Sequence, residues 1–299
     1  FGASVAAYDI NRVRKHEFTR PVKEDDRVRQ ITALKAQTGP VLLTYRADDA
    51  VKAIIDETAA GTPVYDLTAD DGIGHTLWVL DDDAKIEQLN QIFDATDALY
   101  IADGHHRSAS ASRVAKENSA ESAQYFLSVA FAHDEMKILD YNRVVRDLHG
   151  LSADELLANA AASFDLELSA EAVRPAKPTQ FGMYVNGQWY RLDVHEELVP
   201  SDDPVASLDV SLLHSNLIEP LLGISDPRRD DRIDFVGGMR GLGELEKRVD
   251  SGEMAVAFSL YPTTMEALMD VADANEVMPP KSTWFEPKLA DGLVSHVLD

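Results

Sequence analysis

The sequence predicts a mixed α+β fold in which antiparallel hairpins lie among helices. Apolar runs typical of strands alternate with amphipathic stretches typical of helices along the whole chain. The dipeptides Asp71-Gly72 and Asn186-Gly187 each separate two apolar runs and so predict hairpins, which a purely parallel sheet does not contain. With 299 residues, 45% of them hydrophobic, the chain can bury a large core.

Start and stop signals give the elements in order. Pro21 begins a helix that Gly39-Pro40 ends, and apolar residues on either side of turn residues mark the strands. The predicted helices span 21–36, 49–59, 84–95, 108–116, 152–163, 205–217, 242–249 and 264–272. The predicted strands span 1–8, 41–45, 64–68, 75–80, 99–102, 126–132, 137–145, 183–185, 189–192, 233–236 and 255–261, with 126–132 and 137–145 expected to form a further hairpin. The Pro- and Ala-containing stretch 174–180 is expected to be a long loop or a boundary between two parts of the chain.

Residues 1–8 have a sequence typical of a strand, and the given sequence begins inside that pattern. Phe1 is not an initiator Met, and no signal-like segment follows it. We therefore expect the chain to lack an N-terminal segment.

The strongly negative net charge of the chain disfavours some classes of binding partner. The chain has 52 acidic and 28 basic residues, a formal net charge of -24. Such a field opposes nonspecific binding to nucleic acid or anionic lipid, so we expect neither a nucleic-acid nor a membrane partner. The absence of cysteine excludes disulfides and thiol chemistry and fits a cytoplasmic protein.

The motif Asp103-Gly104-His105-His106-Arg107 predicts an anion site. It lies between an apolar strand and a helix rich in Ala and Ser, where unpaired N–H groups and the helix dipole favour phosphate. Gly104 permits close approach of a ligand, Arg107 can bind phosphate oxygens in pairs, and the imidazoles can donate hydrogen bonds or move protons. Asp103 would repel phosphate unless it holds a metal ion, a hydroxyl group or a histidine.

A structural interpretation of this motif stays open. An Asp-Gly turn with a solvated His-His-Arg face needs no ligand. A zinc site is disfavoured because adjacent helical residues point about 100° apart and no suitable ligand spacing is present. A divalent ion held by Asp103 and nucleotide phosphates is compatible with the sequence.

Two further segments combine several functional groups. The first, 14–27, is dense in charge; Thr19 and Pro21 are expected to start a helix, which leaves Lys15, His16 and Glu17 as a cation, an imidazole and a base ahead of it. The second, 278–288, is a proline-containing loop whose aromatic residues either stack on a base while Lys281 contacts phosphate, or pack into the core. The alternative for the first is a solvated charged face.

Seven motifs in order resemble the bacterial and archaeal family grouped as domain of unknown function 1015, over essentially the whole chain. They are residues 15–27, 37–40, 68–72 with 75–78, 102–107, 139–143, 232–238 and 279–288. The Asp-Gly-His-His-Arg string is similar to the nucleotide-phosphate motif of the ParB and sulfiredoxin superfamily, in which free-serine kinases carry a very similar sequence. The resemblance implies a ParB/sulfiredoxin-like nucleotide-binding core elaborated by further strands and helices. It also implies a nucleotide-binding part over 1–150 and a second part over 151–299 that completes the site through the 279–287 loop.

The implied activity is transfer of a phosphoryl group from ATP or ADP, with Mg²⁺, to free L-serine. The catalytic residues are expected to be Glu17, Asp103 and His106, with Glu17 chosen as general base on chemical grounds. The nucleotide-binding residues are expected to be Gly104, His105, Arg107, Lys281, Ser282, Thr283 and Trp284. Substrate-binding or supporting roles are expected for Lys15, His16, Thr19, Lys23, Arg27, Arg232 and Asp234. A regulatory nucleotide-binding module and a nucleotide phosphohydrolase are the alternative functions.

Overall fold

The computed structural model describes residues 1–286 and 288–299, which form a mixed α/β structure. Pro287, in the predicted 279–287 loop, lies outside the described residues. The helices are α1 (Val5–Asp9), α2 (Pro21–Leu34), α3 (Asp49–Ala59), α4 (Asp83–Ala95), α5 (His105–Glu117), α6 (Ala153–Ala160), α7 (Asp209–Leu213), α8 (Glu219–Leu222), α9 (Leu242–Asp250) and α10 (Met265–Asp273). The strands are β1 (Gly2–Ser4), β2 (Val13–Arg14), β3 (Ala36–Gln37), β4 (Val41–Tyr45), β5 (Tyr65–Thr68), β6 (Gly74–Leu77), β7 (Leu99–Asp103), β8 (Tyr125–Ala132), β9 (Tyr141–Val145), β10 (Phe164–Ser169), β11 (Gln180–Val185), β12 (Gln188–Val194), β13 (Ile233–Gly237), β14 (Val256–Leu260) and β15 (His296–Val297).

The chain divides into two compact units. Unit 1 comprises residues 1–136 and the described residues after 287, and unit 2 comprises Lys137–Glu286. Unit 1 is built on a five-stranded mixed sheet in the order β1-β8-β4-β7-β2. The strands β3 and β15 pair separately, and so do β5 and β6. The pairing of β15 with β3 attaches the C-terminal residues to unit 1.

The core of unit 1 packs the central strands of its sheet against α5. Val41, Leu43 and Ile101 of the central strands are almost completely buried and pack with Ala111 and Ala115 of α5. The small side chains of α5 allow its neighbours to approach closely. Ser110 Oγ donates to the Glu24 carbonyl at 3.2 Å, and Ser112 Oγ donates to Asp9 Oδ1 at 2.6 Å. This packing fixes α5, whose first residues belong to the predicted anion site.

Unit 2 is built on a six-stranded antiparallel sheet in the order β10-β12-β11-β14-β9-β13. The predicted hairpin at Asn186-Gly187 is confirmed: β11 and β12 pair up to Val185 and Gln188. Asn186 and Gly187 have φ of 51° and 76°, which is the left-handed backbone that a two-residue hairpin turn requires.

The strand predicted over 1–8, the hairpin predicted over 126–145 and the helix predicted over 205–217 differ from the structure. The strand predicted over 1–8 ends at Ser4, because Ser4 Oγ accepts a hydrogen bond from the Ala7 N–H and caps α1. The strands predicted as a hairpin over 126–145 belong to different sheets: β8 pairs with β1 and β4, and β9 pairs with β13 and β14. The helix predicted over 205–217 is interrupted by a π-helix at His214–Ile218, just before Pro220, which has no N–H to donate.

Over residues 1–286 and 288–299, no helix is both long enough and apolar enough to cross a bilayer.

A buried carboxyl group in unit 2 makes stability depend on pH. Burial raises the pKa of Asp209 to about 7. One of its oxygens accepts the Thr179 N–H at 2.8 Å, and the other has no hydrogen-bond partner among the described residues. Because the folded state holds this proton more tightly than the unfolded state, the free energy of unfolding falls as pH rises from about 4 to about 7.

We expect Asp209→Asn to remove this loss, since the amide keeps an acceptor for Thr179 and carries no charge. The free energy of unfolding measured in urea should rise by roughly 1–3 kcal/mol at pH 8. It should show no such gain at pH 4. A variant that is no more stable than the wild type at pH 8 would contradict this interpretation.

Candidate functional site

The turn from β7 into α5 presents the Asp-Gly-His-His-Arg motif. The register between β4 and β7 shifts between Leu42 and Leu43, opposite the end of β7, and bulges of this kind change where a side chain points. Gly104 follows with φ 106° and ψ 24°, a left-handed conformation that L side chains rarely adopt. A Cβ at Gly104 would lie 3.0 Å from both Nε and Nη2 of Arg107, so glycine also makes room for the guanidinium group.

The helix α5 begins earlier than the sequence predicted. It starts at His105 instead of residue 108, because Gly104 supplies the reversal in the backbone and no further turn residues are needed. His105, His106 and Arg107 therefore form the first helical turn. The N–H groups of this turn have no partner within the helix, and the helix dipole adds positive potential there. The motif is therefore a helix N-terminus with basic side chains around it.

His105 lies in the interior and contacts two residues of the charged segment. It is 4% exposed, and His16, at 2% exposed, packs edge to face against it with ring centres 4.5 Å apart. The His16 backbone N–H donates to His105 Nε2 at 3.4 Å, so the proton of the neutral ring is on Nδ1. His105 Nδ1 lies 3.9 Å from Glu17 Oε2, and the Glu17 side chain is 62% exposed. His105 thus directs an N–H toward an accessible carboxylate.

His106 connects the first turn of α5 to the start of α2. The Arg20 backbone N–H donates to His106 Nε2 at 3.0 Å, which leaves Nδ1 of His106 to carry the ring N–H. Arg20 is the N-cap of α2 and Pro21 follows it, as predicted for the proline. Thr19 does not cap the helix as expected; its hydroxyl donates to the Glu24 carboxylate instead.

Three charged groups lie at the motif itself. Arg107 Nη2 is 3.9 Å from Asp103 Oδ2, and Lys288 Nζ is 3.7 Å from the same oxygen. Arg107 Nε is buried and has no hydrogen-bond partner among the described residues. Two cations therefore flank one carboxylate beside the helix N-terminus, which leaves capacity to bind a further anion.

Lys288 was not among the site residues predicted from the sequence. Lys288 belongs to the C-terminal segment that returns to unit 1, where the Gly292 N–H donates to the Thr38 carbonyl and the Tyr65 hydroxyl donates to the Leu293 carbonyl. Its distance of 185 positions from Asp103 gives no local signal that the two meet. The only sequence signal was the resemblance, which included 279–288 as a motif.

The remaining predicted residues of unit 1 surround the motif or lie on α2. Lys15 Nζ lies 4.2 Å from the centre of the Tyr8 ring. Lys23 is exposed in the first turn of α2, and Arg27, one turn later, donates to Gln30. The structure thus brings together Lys15, His16, Glu17, Thr19, Asp103, Gly104, His105, His106 and Arg107, joined through contacts of α2, α5 and the segment before α2.

The predicted residues of the 279–287 loop belong to unit 2 and are tied to its sheet. The Ser282 hydroxyl donates to the Pro279 carbonyl at 2.6 Å, and Arg143 Nη2 donates to the Lys281 carbonyl at 3.0 Å. Trp284 packs edge to face on Tyr141 with ring centres 5.0 Å apart. Thr283 lies between Ser282 and Trp284 in the chain, and Phe285 is buried. The loop is therefore ordered by internal contacts, and its role in nucleotide binding stays a prediction.

Arg232 and Asp234 also lie in unit 2 and have internal partners. Arg232 contacts Asp230 at 2.8 Å and donates to the carbonyl groups of Leu222 and Gly223, each at 3.0 Å. Asp234 accepts from Arg248 Nη1 at 2.7 Å. These contacts stabilise the start of β13, and a supporting role toward substrate stays a prediction.

Asp103 is the protein group at the motif that can bind a divalent ion. Among residues 1–286 and 288–299, no group of three or more His, Cys, Asp or Glu side chains is arranged to hold a metal. Magnesium needs fewer protein ligands when phosphates share its coordination, and one carboxylate is enough in such sites. Asp103 fits that requirement if a nucleotide is present.

Burial of the two histidines predicts sensitivity to acid. Burial lowers the pKa of His16 to about 4, outweighing a hydrogen bond to the backbone of Ile101 and the charge of Asp103, which raise it. Burial also lowers the pKa of His105 well below its ordinary value, and the positive charges of its neighbours add to this. The unfolded state therefore binds protons below about pH 6.5 that the folded state does not.

We expect the free energy of unfolding to fall as pH decreases from 6.5 to 4, with a contribution from His16 on the order of 3 kcal/mol. His16→Gln cannot take up this proton, so its stability relative to wild type should improve steadily over that range. Denaturant titrations at several pH values measure the difference. A difference that does not change with pH would contradict a neutral, buried His16.

A family model matches most of the chain. The model described as "Protein of unknown function (DUF1015)" matches residues 1–211 of the 299. No curated protein matches the sequence.

Several solved structures resemble the chain distantly over nearly its whole length. A free serine kinase in complex with AMP is 14% identical, with 98% of this chain and 90% of that chain covered and a TM-score of 0.46. A mutant free serine kinase in complex with ADP is 14% identical, with coverage of 98% and 91% and a TM-score of 0.46. SbnI with a C-terminal truncation, from Staphylococcus aureus, is 12% identical, with coverage of 97% and 85% and a TM-score of 0.47. Likenesses at this distance assign no activity and no site residue to this chain.

Proposed function

The chain belongs to the DUF1015 family, and we propose that it is a phosphotransferase that moves a phosphoryl group from ATP or ADP to the hydroxyl group of free L-serine. The products are O-phospho-L-serine and the nucleotide shortened by one phosphate. The proposal combines the geometry of the motif in unit 1 with the resemblance of Asp-Gly-His-His-Arg to the phosphate motif of free-serine kinases.

One observation carries the proposal: groups that bind phosphate and a carboxylate base lie at the same helix N-terminus. The free N–H groups of α5, Arg107, Lys288 and Nδ1–H of His106 all favour a phosphate group. Glu17 is accessible and lies 3.9 Å from His105, which belongs to the first turn of that helix. A helix N-terminus that only bound an anion would need no base, whereas phosphoryl transfer to an alcohol uses one.

The residues support each part of the transfer. The serine hydroxyl attacks the terminal phosphorus while its proton passes to Glu17; a new P–O bond forms, and the bond from phosphorus to the bridging oxygen breaks. The electron pair of that bond stays on the departing nucleotide, whose negative charge Arg107 and the N–H groups of α5 stabilise. His105 acts on Glu17 as a positioning residue, because its Nδ1–H faces the carboxylate. His106 donates from Nδ1 to a phosphate oxygen.

Magnesium would join Asp103 to the phosphates and neutralise charge that develops on their oxygens. The carboxylate of Asp103 also contacts Arg107 and Lys288. Asp103 therefore keeps the two cations oriented, and the two cations reduce the repulsion between its own charge and the phosphates.

We propose nucleotide-binding roles for residues of unit 2 from the chemistry of their side chains. Trp284 offers an aromatic face to a base, and Lys281, Ser282 and Thr283 offer a cation and two hydroxyl groups to phosphate or ribose. Arg232 and Asp234 support this unit through their contacts. We expect the reaction to be cytoplasmic, where nucleotide and free amino acid are both available, and to involve neither nucleic acid nor membrane.

Phosphorus NMR tests the proposal with the whole chain, Mg²⁺, ATP or ADP, and L-serine, beside a control without serine. We expect a phosphomonoester resonance that appears only with serine and grows as the terminal phosphate resonance of the nucleotide declines. Inorganic phosphate released equally with and without serine would instead establish a nucleotide phosphohydrolase. Tight nucleotide binding with no product would establish a binding module.

A further inference from the structure

A polar pocket in unit 1 lies against Arg107, on the side of α2 and the β3–β4 turn. Its volume is about 60 Å³, enough for several waters or one small molecule. Arg27, Gln37, Thr38, Gly39, Arg107 and Asp291 are among the residues that line it. It therefore shares one wall, the Arg107 side chain, with the candidate phosphate site.

The pocket contains charges of both signs that lack full partners. Asp291 makes no hydrogen bond or ion pair within residues 1–286 and 288–299, although it lies at the pocket wall. Arg27 donates only to the neutral Gln30 among the described residues. Arg107 has a buried Nε without a hydrogen-bond partner in the same part of the chain. One carboxylate and two guanidinium groups thus converge on a space that a small molecule can enter.

The backbone beside Asp291 is held by contacts with the β3–β4 turn and with β3. A Cβ at Gly39 would lie 2.7 Å from Asp291 Oδ1, so the glycine allows the carboxylate to rest against the β3–β4 turn. The next residue, Gly292, donates its N–H to the Thr38 carbonyl at 3.0 Å. The pairing of β15 with β3 holds the segment that follows. Asp291 therefore lies in the pocket wall at an exposed position, with its carboxylate beside the β3–β4 turn.

We propose that this pocket binds the α-ammonium and α-carboxylate groups of the amino-acid acceptor, an inference that rests on the proposed function. Asp291 binds the ammonium group, and Arg27 and Arg107 bind the carboxylate. The Thr38 hydroxyl group lies in the same wall as a neutral donor or acceptor. The small volume favours a small amino acid such as serine.

The charges of the pocket favour a ligand that carries both signs. Phosphate or a dicarboxylate would leave Asp291 without a cationic partner, and a simple amine would leave the two guanidinium groups without an anion. A zwitterion matches both signs at once, and charge-assisted hydrogen bonds at each end give it orientation as well as affinity. The shared Arg107 then brings the acceptor to the edge of the phosphate site.

Calorimetric titration of the whole protein with L-serine, with and without saturating ADP, tests this assignment. Two probes separate the ends of the ligand: 3-hydroxypropionate lacks the ammonium group and ethanolamine lacks the carboxylate. We expect Asp291→Asn and Arg27→Gln each to raise the Kd for serine by roughly tenfold to a hundredfold, the effect of losing one hydrogen-bonded charge. Asp291→Asn should also reduce the preference of the protein for serine over 3-hydroxypropionate.

Matched controls guard against general effects of charge. Asp97→Asn removes a carboxylate just before β7, at the strand end opposite Asp103, and Arg29→Gln removes a guanidinium group that pairs with Asp26 on the surface of α2. Both should bind serine as the wild type does. Gly39→Ala, which keeps the charge of Asp291 but displaces it, should weaken serine binding with little loss of folding.

The outcomes separate this inference from the proposed function. Serine binding that depends on Asp291, without any phosphoserine formed, supports the pocket and contradicts the phosphotransferase. Phosphoserine formed with an unchanged KM for serine in Asp291→Asn supports the activity and overturns the pocket. Absence of serine binding under both nucleotide conditions also overturns it.

Discussion

Glu17→Gln is expected to slow serine phosphorylation severely while the protein still binds nucleotide. A general base contributes roughly 10²–10⁴-fold to the rate, so kcat should fall by that factor. The amide has the same size as the carboxylate and cannot take the serine proton. Because the Glu17 side chain is 62% exposed and lies 3.9 Å from His105, beyond hydrogen-bond distance, the substitution should leave the fold intact.

The rate of phosphoserine formation, measured at saturating nucleotide and serine, is the readout. Nucleotide affinity should change by no more than about twofold, since the base acts on the transition state and not on the bound ground state. Glu121→Gln, at an exposed position beside the 3-10 turn Ser122–Gln124, is the matched control and should retain the wild-type rate. Full activity of Glu17→Gln would remove Glu17 from the mechanism.

Arg107→Ala is expected to have the largest effect on nucleotide binding. The variant loses the guanidinium group that lies over Gly104 and beside Asp103, and with it the charge-assisted hydrogen bonds to phosphate. Such bonds contribute roughly 1.5–3 kcal/mol each, so the Kd for ATP or ADP should rise about tenfold to a hundredfold. Loss of the same contacts in the transition state should lower kcat as well.

The control for Arg107 lies on the same helix. Arg113 is further along α5, where it contacts Glu24 and Asp25 on α2. Arg113→Ala removes the same charge from the same helix and should leave the Kd for nucleotide unchanged. Equal weakening by both substitutions would indicate a general electrostatic effect and would contradict a phosphate site at the start of α5.

Local patterns predicted the elements of the fold well where one turn or one cap decides the structure. The hairpin at Asn186-Gly187 follows from two residues that accept a left-handed backbone, and the helix at Pro21 follows from a proline at its first position. Local patterns did not predict which distant strands pair with one another. Strands β8 and β9 follow one another in the sequence and were therefore predicted to pair, yet their partners, such as β1 and β13, lie far from them along the chain.

The candidate site was predicted in part for the same reason. The motif around Gly104 could be recognised because strand, glycine and helix follow one another, although the glycine alone makes the turn and α5 begins at His105. That His16 packs on His105, and that Lys288 reaches Asp103, depends on packing that no local pattern encodes. The pocket beside Arg107 likewise joins α2, the β3–β4 turn and the C-terminal segment, which are far apart in sequence.

The stoichiometry of phosphoryl transfer can be measured in a single reaction. The whole chain is incubated with Mg²⁺, L-serine and either ATP or ADP, and the shortened nucleotide and O-phospho-L-serine are both quantified by mass spectrometry, beside Glu17→Gln. We expect equal amounts of the two products with the wild-type chain and, over the same time, roughly a hundredth as much or less with the variant. Nucleotide consumed by the wild type without phosphoserine, or phosphoserine formed equally by the variant, would contradict it.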